Sequence, residues 1–554
     1  MTRELRGTPA APGAAVAAPW IYRAAEVGTQ AGLSLDEAST AAVAEIDALG
    51  RRLRALGREA EAEIMDAQTM MAADPELHGA AAKLAANGVR PADAIVAAGE
   101  EVALQFEAIG DEFLAARGAD VRDVTARIAR IMTGGVAPRL EQRSVVVGVD
   151  LPPSVTVELD RALLAGIALE RGSRTSHAAI LSRSLGIPAV VGVAGVCEAA
   201  RTAKAVGIDG GVGVVHLDPD AGTTERLASD ATAAGERARA DAGLATIRLA
   251  TADGHRVTCA ANIGEPGEAA TAFTSGAEAI GLFRTEFAFA GRATAPDAAT
   301  QAAAYADVLR SADGKEVVFR LADIGGDKPI AYLPIEPEAN PFLGVRAIRL
   351  AERHPDLLPT QLRAILRASA DTGQQASIMA PMVADEADVD LVLRLVADAR
   401  AAVPDAPTPR VGIMVEIPSA VLLADRLATR VEFMSIGTND LTQYLLAADR
   451  SNAALAARQD PLHPVVLRAI ARVVEAAAGA SCAVAVCGEM AGDPAGALLL
   501  VGLGVDELSM EWRAFGPVKR AISARRLPAL VALATNAQQL STAAEVRRAV
   551  ETSA

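Results

Sequence analysis

The sequence predicts a multidomain α/β protein whose C-terminal half is a (β/α)8 barrel, and three observations lead to it. The chain has 554 residues, more than one ordinary hydrophobic core holds, so two to four domains are expected. Its texture changes at Ser144 from helical periodicity to short β-branched runs. From Arg256 onward strand and helix patterns alternate, giving roughly eight strands over about 250 residues, the count and size of such a barrel.

The extended segment before Trp20 completes a small α/β domain whose remainder lies beyond Ser144, so residues 1–20 and 144–219 form one domain. A helical subdomain, residues 21–143, is inserted between its two parts. There Ile46, Leu49, Leu53 and Leu56 recur at spacings of three and four and share a helix face. Asp74-Pro75-Glu76 reads as an N-cap, a proline at the first helical position and a first-turn acid. Pro91 opens a further helix with Ile95, Val102, Phe106, Ile109 and Phe113 as its buried stripe.

In the α/β domain Ser144 to Val149 and Leu164 to Ala168 are strands, and a short helix from His177 to Leu185 stops at Gly186-Ile187-Pro188. Ala189 to Gly192 resumes as strand, and Asp209-Gly210 turns between two more. Residues 220–251 are Ala-rich, charged and free of proline, the pattern of a linker helix. The barrel takes residues 252–554, with strands ending near Asn262, Phe283, Leu321, Met382, Glu416, Ile436, Cys487 and Ser509. Asn262, Arg284, Asp323, Glu416, Asn439-Asp440 and Cys487 then fall at the C-terminal strand ends, the face where barrel enzymes keep their active sites.

Composition narrows the function. With 53 Lys+Arg against 69 Asp+Glu, the net charge of -16 would repel a nucleic-acid backbone and suits a basic protein partner. The four cysteines (Cys197, Cys259, Cys482, Cys487) contain no CxxC pair and are too few for a disulfide framework, which favours a reducing compartment. Basic residues near the start precede an Ala-rich stretch, but Pro9, Pro12 and Gly13 interrupt any apolar core. The run Ala495 to Val505 is too short to span a bilayer, so a cytoplasmic protein without membrane insertion is expected.

Several residues have the chemistry to work. Arg171-Gly172-Ser173-Arg174-Thr175-Ser176-His177 leaves a strand and opens a helix, which puts His177 in a first turn where free N–H groups favour an anion. Thr175 offers a hydroxyl beside it. Taken alone, a histidine at a helix start is more often only a cap. Arg284 follows one barrel strand and Arg320 lies within the next, each a planar fork suited to phosphate or carboxylate. Glu416 and Asn439-Asp440 end neighbouring strands, where the two acids suit one hard cation, although a solvated loop explains two acids equally well. A buried cysteine such as Cys487 is more often a small hydrophobe than a catalyst.

These strings closely resemble Enzyme I of the phosphoenolpyruvate-dependent phosphotransferase system. The histidine loop with Leu185-Gly186-Ile187-Pro188-Ala189-Val190-Val191-Gly192 matches, as do Gly281 to Phe287, Phe319 to Lys328, Asn340 to Arg346, Gly412 to Pro418, Ser435 to Leu441, Asp449-Arg450 and Val486 to Gly492. The resemblance implies a swivelling phosphohistidine domain ahead of the barrel, with His177 phosphorylated by phosphoenolpyruvate and Thr175 supporting it. It implies that Arg284, Arg320, Arg346, Asn439, Asp440 and Arg450 contact phosphoenolpyruvate, and that Glu416 with Asp440 binds Mg2+. It further implies that Cys487 protonates the enolate carbon as pyruvate forms. By the same resemblance the phosphoryl group would then pass to a small histidine-containing phosphocarrier protein (HPr), the first step of sugar uptake, in a homodimer joined through the barrel.

The sequence departs from the family at Ser173 and Ala380, at Glu511-Trp512, and at Gln68, where many members carry a histidine in the carrier-docking helices. Two rivals share the histidine domain and the barrel. A nitrogen-branch paralogue would use another carrier, and a phosphoenolpyruvate synthase-like enzyme needs a nucleotide-binding domain for which the helical first ~140 residues leave no Gly-rich phosphate loop. A non-catalytic sensor would be expected to lose His177 or Cys487, and both are present.

Overall fold

The computed structural model describes residues 3–22, 32–55, 59–108, 112–172, 176–289, 294–326, 330, 332–333, 336, 338–450, 452, 455 and 458–553. Of these, residues 54–55, 59–63, 107–108, 112–116, 153, 157, 177, 180 and 184 are described by their backbone. The chain divides into two compact units, Met1–Arg237 and Ala238–Ala554.

The first unit is built on an eight-stranded sheet among the described residues. Its strands are β1 (Arg3–Arg6), β2 (Thr8–Ala11), β3 (Ala14–Ile21), β4 (Ser144–Gly148), β5 (Leu164–Leu169), β6 (Ala189–Val191), β7 (Val206–Asp209) and β8 (Val214–Leu217). Their order is β1-β8-β7-β3-β4-β5-β6-β2. The N-terminal segment thus supplies three strands, and β3 lies parallel to β4 with Ala18 opposite Ser144. That pairing closes the domain across the inserted helices, and β4 and β5 are buried on both faces, as parallel strands usually are.

The insertion is helical: α1 (Leu35–Ala55), α2 (Glu59–Ala72), α3 (Pro75–Ala86), α4 (Pro91–Ala108) and α5 (Glu112–Met132). Asp74 caps α3 as its sequence requires, its carboxylate accepting from the Glu76 N–H at 2.8 Å. Ile46, Leu53 and Ile95 are wholly buried in the core of this bundle. One reading changes: the stripe begun at Pro91 does not run on to Phe113, because α4 ends at Ala108 and Phe113 belongs to α5. Gly110 stands between them in the sequence, and Leu56 and Ile109 lie outside the described residues.

Gln68 is no surface residue. It is 1% exposed and donates to Asp120 at 3.1 Å and Asp123 at 3.2 Å. Beside it Arg127 joins the bundle to the sheet domain through Glu45, Ser154 and Glu158, the last two on α6 (Pro153–Glu158). Two more helices of the sheet domain are α7 (His177–Leu185) and α8 (Val196–Ala200), and α9 (Ala221–Ala245) follows. The boundary between the compact units falls inside α9, so the helix expected to link the domains belongs to both.

The second unit is a closed barrel of eight parallel strands among the described residues, in sequence order. They are β9 (Thr258–Ile263), β10 (Ala279–Arg284), β11 (Val317–Arg320), β12 (Ser377–Ala380), β13 (Arg410–Val415), β14 (Phe433–Ile436), β15 (Ala483–Val486) and β16 (Glu507–Met510). Outward residues such as Ile280, Phe319, Ile413 and Leu508 pack into one large core with the surrounding helices. Ala380, at the end of β12, is wholly buried in that core, and Trp512 packs against it with Arg513 stacked 5.4 Å from its ring. Inside the barrel Leu282, Val318, Met379, Met414, Phe433 and Cys487 form an apolar layer. That alternation along each strand sets which residues face the lumen.

Candidate active site

In the first unit the loop ahead of His177 has, where it is described, the turn and helix start expected from its sequence. Gly172 adopts φ +112°, a conformation reserved for glycine. Ser176 holds the extended geometry of an N-cap (φ −63°, ψ 151°), although its hydroxyl makes no capping bond, and His177 opens α7. Gly186 then ends α7 in the left-handed conformation. Thr175, with Ser173 and Arg174, lies outside the described residues, and of His177 only the backbone is described.

In the second unit a cavity of about 510 Å3 opens at the C-terminal ends of the barrel strands. Arg284, Arg320, Glu416, Asn439, Asp440, Arg450 and Cys487 all line it. Strand register explains the gathering. Arg284 and Arg320 are direct partners on β10 and β11, an arrangement that is unfavourable for like charges without compensation. Glu286 provides it, bonding Arg320 and accepting from the Asp323 N–H at 2.8 Å. Burial works against the Arg320 charge, but Glu286, Asp323 and Glu416 outweigh it and hold the group firmly cationic. Arg284 stays exposed, and no carboxylate pairs with it among the described residues.

Glu416 is 1% exposed, with one oxygen accepting from the Met382 N–H at 2.7 Å. Burial, then Asp440 and Asp323, raises its carboxyl well above the usual range. Gly437 makes room for it: a Cβ there would stand 2.9 Å from Glu416 Oε2. Asp440 sits in the first turn of the helix Thr438–Leu446, where free N–H groups attract anions. It meets Arg450 and Arg346, each at 3.3 Å. Arg450 is further held over the Phe342 ring at 5.3 Å.

Gly488 lets the loops after β14 and β15 close on each other, since a Cβ there would lie 1.9 Å from Thr438 Oγ1. Asn439 and Glu489 then bond reciprocally, Asn439 Nδ2 donating at 3.2 Å and the Glu489 N–H returning the bond at 3.1 Å. Cys487, 4% exposed, directly follows β15 with its thiol 3.8 Å from the Ile436 carbonyl. Burial pushes that thiol up to about 11, so it is protonated at neutral pH. The other three cysteines lie elsewhere, none on this cavity.

Of the residues implied to contact phosphoenolpyruvate, Arg346 alone does not line the cavity. It is wholly buried and absent from the cavity wall, because Asp323 and Asp440 occupy its guanidinium. Conversely, Glu286, Asp323 and Glu489 line the cavity without having been assigned a role from sequence. Glu286 and Glu489 each stand two residues beyond a predicted site residue, and clustered arginines require nearby acids, which was the available signal.

A closed barrel with arginine forks, an amide, buried carboxylates and a protonated thiol around one mouth defines an enzyme of small, multiply anionic substrates. Sequence comparison gives the same class. The family "PEP-utilising enzyme, PEP-binding domain" matches residues 238–527, "PEP-utilising enzyme, mobile domain" residues 140–213, and "PEP-utilising enzyme, N-terminal" residues 6–117. A phosphoenolpyruvate-protein phosphotransferase of Haloferax volcanii is 39% identical over 92% of this chain and 90% of its own. That of Bacillus subtilis is 39% identical over 88% and 87%. A multiphosphoryl transfer protein of Xanthomonas campestris is 40% identical over 98% of this chain, which spans 66% of that longer relative. The chain belongs to the phosphoenolpyruvate-protein phosphotransferase family of phosphoenolpyruvate-utilising enzymes. Its chemistry is phosphoenolpyruvate-dependent phosphotransfer.

Proposed function

We propose that the barrel cavity binds phosphoenolpyruvate, that His177 takes its phosphoryl group, and that His177 passes it to a small histidine-containing phosphocarrier protein (HPr) at the head of sugar uptake. The convergence of Arg284, Arg320, Asn439, Asp440, Arg450, Glu416 and Cys487 on one 510 Å3 cavity carries this reading. Arg284, Arg320 and Arg450 grip phosphate and carboxylate as charge-assisted forks, and Asn439, steadied by Glu489, orients the substrate. A neutral His177 imidazole attacks phosphorus when brought within ~3–3.5 Å, and the start of α7 favours the arriving anion. The enolate carbon takes its proton from the Cys487 thiol.

Glu416 and Asp440 fit a hard divalent cation, because the two acids gather on one cavity wall, where burial first and then Asp440 and Asp323 raise the Glu416 carboxyl. The cation of this reading is Mg2+, which takes one or two carboxylates with substrate oxygens and water. When bound, Mg2+ would supply charge neutralisation of the phosphoryl oxygens. A homodimer joined through the barrel belongs to the same reading. Among the described residues no helix is long and apolar enough to cross a membrane.

The test is incubation with phosphorus-labelled phosphoenolpyruvate and each candidate carrier from the same cell. Parent protein should label in an acid-labile, alkali-stable bond and pass label to one carrier. His177→Ala should bind phosphoenolpyruvate and stay unlabelled, and a labelled variant would remove His177 from the scheme.

A further inference from the structure

Beneath the apolar layer of the lumen the barrel turns polar again. A second cavity, of about 160 Å3, lies toward the N-terminal strand ends, with Glu316, Arg410, Ser435, Asp506 and Glu507 on its wall. Pairing sets Ser435, Ala485 and Glu507 abreast on β14, β15 and β16. The Ser435 and Glu507 backbones are therefore about 10 Å apart, two strand spacings, with only the Ala485 methyl between. Gly281 opens the lumen to Glu507: a Cβ there would stand 2.4 Å from its Oε1 and 2.5 Å from Ser509 Oγ.

Two groups in this cavity are left largely unsatisfied. The Ser435 hydroxyl, 1% exposed, has the Cys487 thiol as its neighbour and favours its ionised form, with no other hydrogen-bond partner. Nothing among the described residues hydrogen-bonds the Glu507 carboxyl, since Arg410 is engaged by Glu316. The groups facing Glu507 are Glu316, Arg410, Asp506 and Glu278. Burial first, then Glu316, Asp506 and Glu278 against Arg410, pushes the carboxyl of this half-buried residue up to about 8, which favours the protonated form. Asp506 and Ala483 on the cavity wall are exposed, which connects it to solvent. The space is polar and ample for water.

We propose that this lower cavity is a proton inlet, in which Glu507 and Ser435 return to the Cys487 thiol the proton it gives to the enolate carbon in each turnover. The inference rests on the reading of Cys487 as proton donor. The steps balance. The S–H bond breaks as the C–H bond of pyruvate forms, leaving a thiolate. The thiolate takes the Ser435 hydroxyl proton while Ser435 takes one from Glu507, through water in the cavity. The Glu507 carboxylate recovers its proton from solvent at the N-terminal mouth. One solvent proton is consumed per pyruvate, and nothing is oxidised or reduced. The route matters because the thiol's other side faces the substrate cavity, where bound product excludes water. Glu507 and Ser435 act through Cys487 and touch no substrate.

The test separates two exchanges in full-length protein with magnesium, phosphoenolpyruvate and carbon-labelled pyruvate in D2O. Carbon label moves between pyruvate and phosphoenolpyruvate by handing one proton to and from Cys487, so it needs no resupply. Deuterium entry into the pyruvate methyl group does need it. Glu507→Gln, the neutral isostere of the protonated acid, and Ser435→Ala should keep carbon exchange within about twofold and lose deuterium entry by about tenfold or more, within the reach of a positioned proton donor. Ser435→Thr, which keeps the hydroxyl, should retain both. Parent-rate deuterium entry in either variant overturns the inlet, because solvent then reaches the thiol from above. An equal fall in both exchanges also overturns it, as a packing effect. Undiminished carbon exchange in Cys487→Ala would instead overturn the reading of Cys487 on which the inference rests.

Discussion

Arg346 sets Nε and Nη2 on the two carboxylate oxygens of Asp323, at 2.9 and 2.6 Å, and both side chains are 1% exposed. Its third contact, to Asp440 at 3.3 Å, ties this pair to the acid that also meets Arg450. Removing one partner of such a pair leaves a buried charge alone, at about 3–5 kcal/mol. Arg346→Ala should therefore lower unfolding stability by that order in a denaturant melt, along with phosphoenolpyruvate affinity. Arg346→Lys should lose less, keeping the charge but not the fork. An Arg346→Ala protein of parent stability with lost binding would return Arg346 to the substrate ligands.

Glu416 makes the same kind of argument for a cation. Its carboxyl, raised by burial and then by Asp440 and Asp323, gathers with Asp440 on one cavity wall, an arrangement a cation would relieve. Chelation should abolish labelling by phosphoenolpyruvate and magnesium should restore it. Glu416→Ala should lose most of that labelling while His177 still accepts phosphate backwards from a phosphorylated carrier. Full labelling in chelator would end the metal reading.

The barrel was legible because eight apolar runs alternate with helical patterns, and Arg284, Arg320, Glu416 and Cys487 stand at or just past the ends of their runs. The arginine forks, Glu416 and Asp440 are polar where a strand ends, which periodicity alone exposes. The burial of Arg346 was not legible because it sits in an irregular segment between β11 and β12, where sequence carries no register and burial depends on a partner such as Asp323, 23 residues away. Glu507 escaped notice because it begins a strand rather than ending one, on the barrel face where conservation of shape rather than chemistry is expected. The break between α4 and α5 was missed because apolar spacing continued across Gly110, a residue a helix tolerates at a modest cost.

Cys487 is set in the apolar layer with its thiol raised to about 11, a state suited to giving a proton and poor at holding a metal or forming a disulfide. Cys487→Ala should slow pyruvate formation by about 10²–10⁴-fold without weakening phosphoenolpyruvate binding. Rapid-quench measurement of pyruvate beside a binding titration checks it, and normal turnover would leave Cys487 a packing residue.

Asp123 offers a pH prediction in the helical bundle. Burial, opposed by Ser154, Arg127 and Gln68, raises its carboxyl from 3.8 to about 6 in the folded state. The folded chain thus binds the proton more tightly than the unfolded chain. The resulting stability is fully present below about pH 4 and is lost as pH rises through 6, by up to about 3 kcal/mol. Asp123→Asn should flatten the pH dependence of the melting of residues 1–237 between pH 4 and 7. An unchanged profile would show that Asp123 titrates as an ordinary carboxylate.

The end of α9 belongs physically to the barrel unit, which bears on where the chain can be divided. Lys519, 2% exposed, donates to the Ala245 carbonyl at 2.6 Å and to the Gly276 carbonyl at 3.3 Å. Arg520 pairs with Asp241 at 2.7 Å. Gly276 and Gly516 allow the close approach, since a Cβ at either would fall 2.1 Å from the Ala245 carbonyl oxygen or 2.5 Å from that of Asp241. The phosphoenolpyruvate-binding family match also begins at residue 238. A fragment starting at Thr251 would leave Lys519 with one of its two acceptors and Arg520 without Asp241. Such a buried loss costs about 1–3 kcal/mol, or roughly 2–10 °C in melting temperature for a unit of this size. The fragment 238–554 should therefore melt higher than 251–554, and both should bind phosphoenolpyruvate without becoming phosphorylated, because neither carries His177. The complementary fragment 1–237 should exchange phosphate with the carrier yet stay unlabelled by phosphoenolpyruvate. Equal melting temperatures for the two barrel fragments would show that the α9 end contributes nothing to the barrel. Labelling of 1–237 by phosphoenolpyruvate alone would place the substrate site outside the barrel.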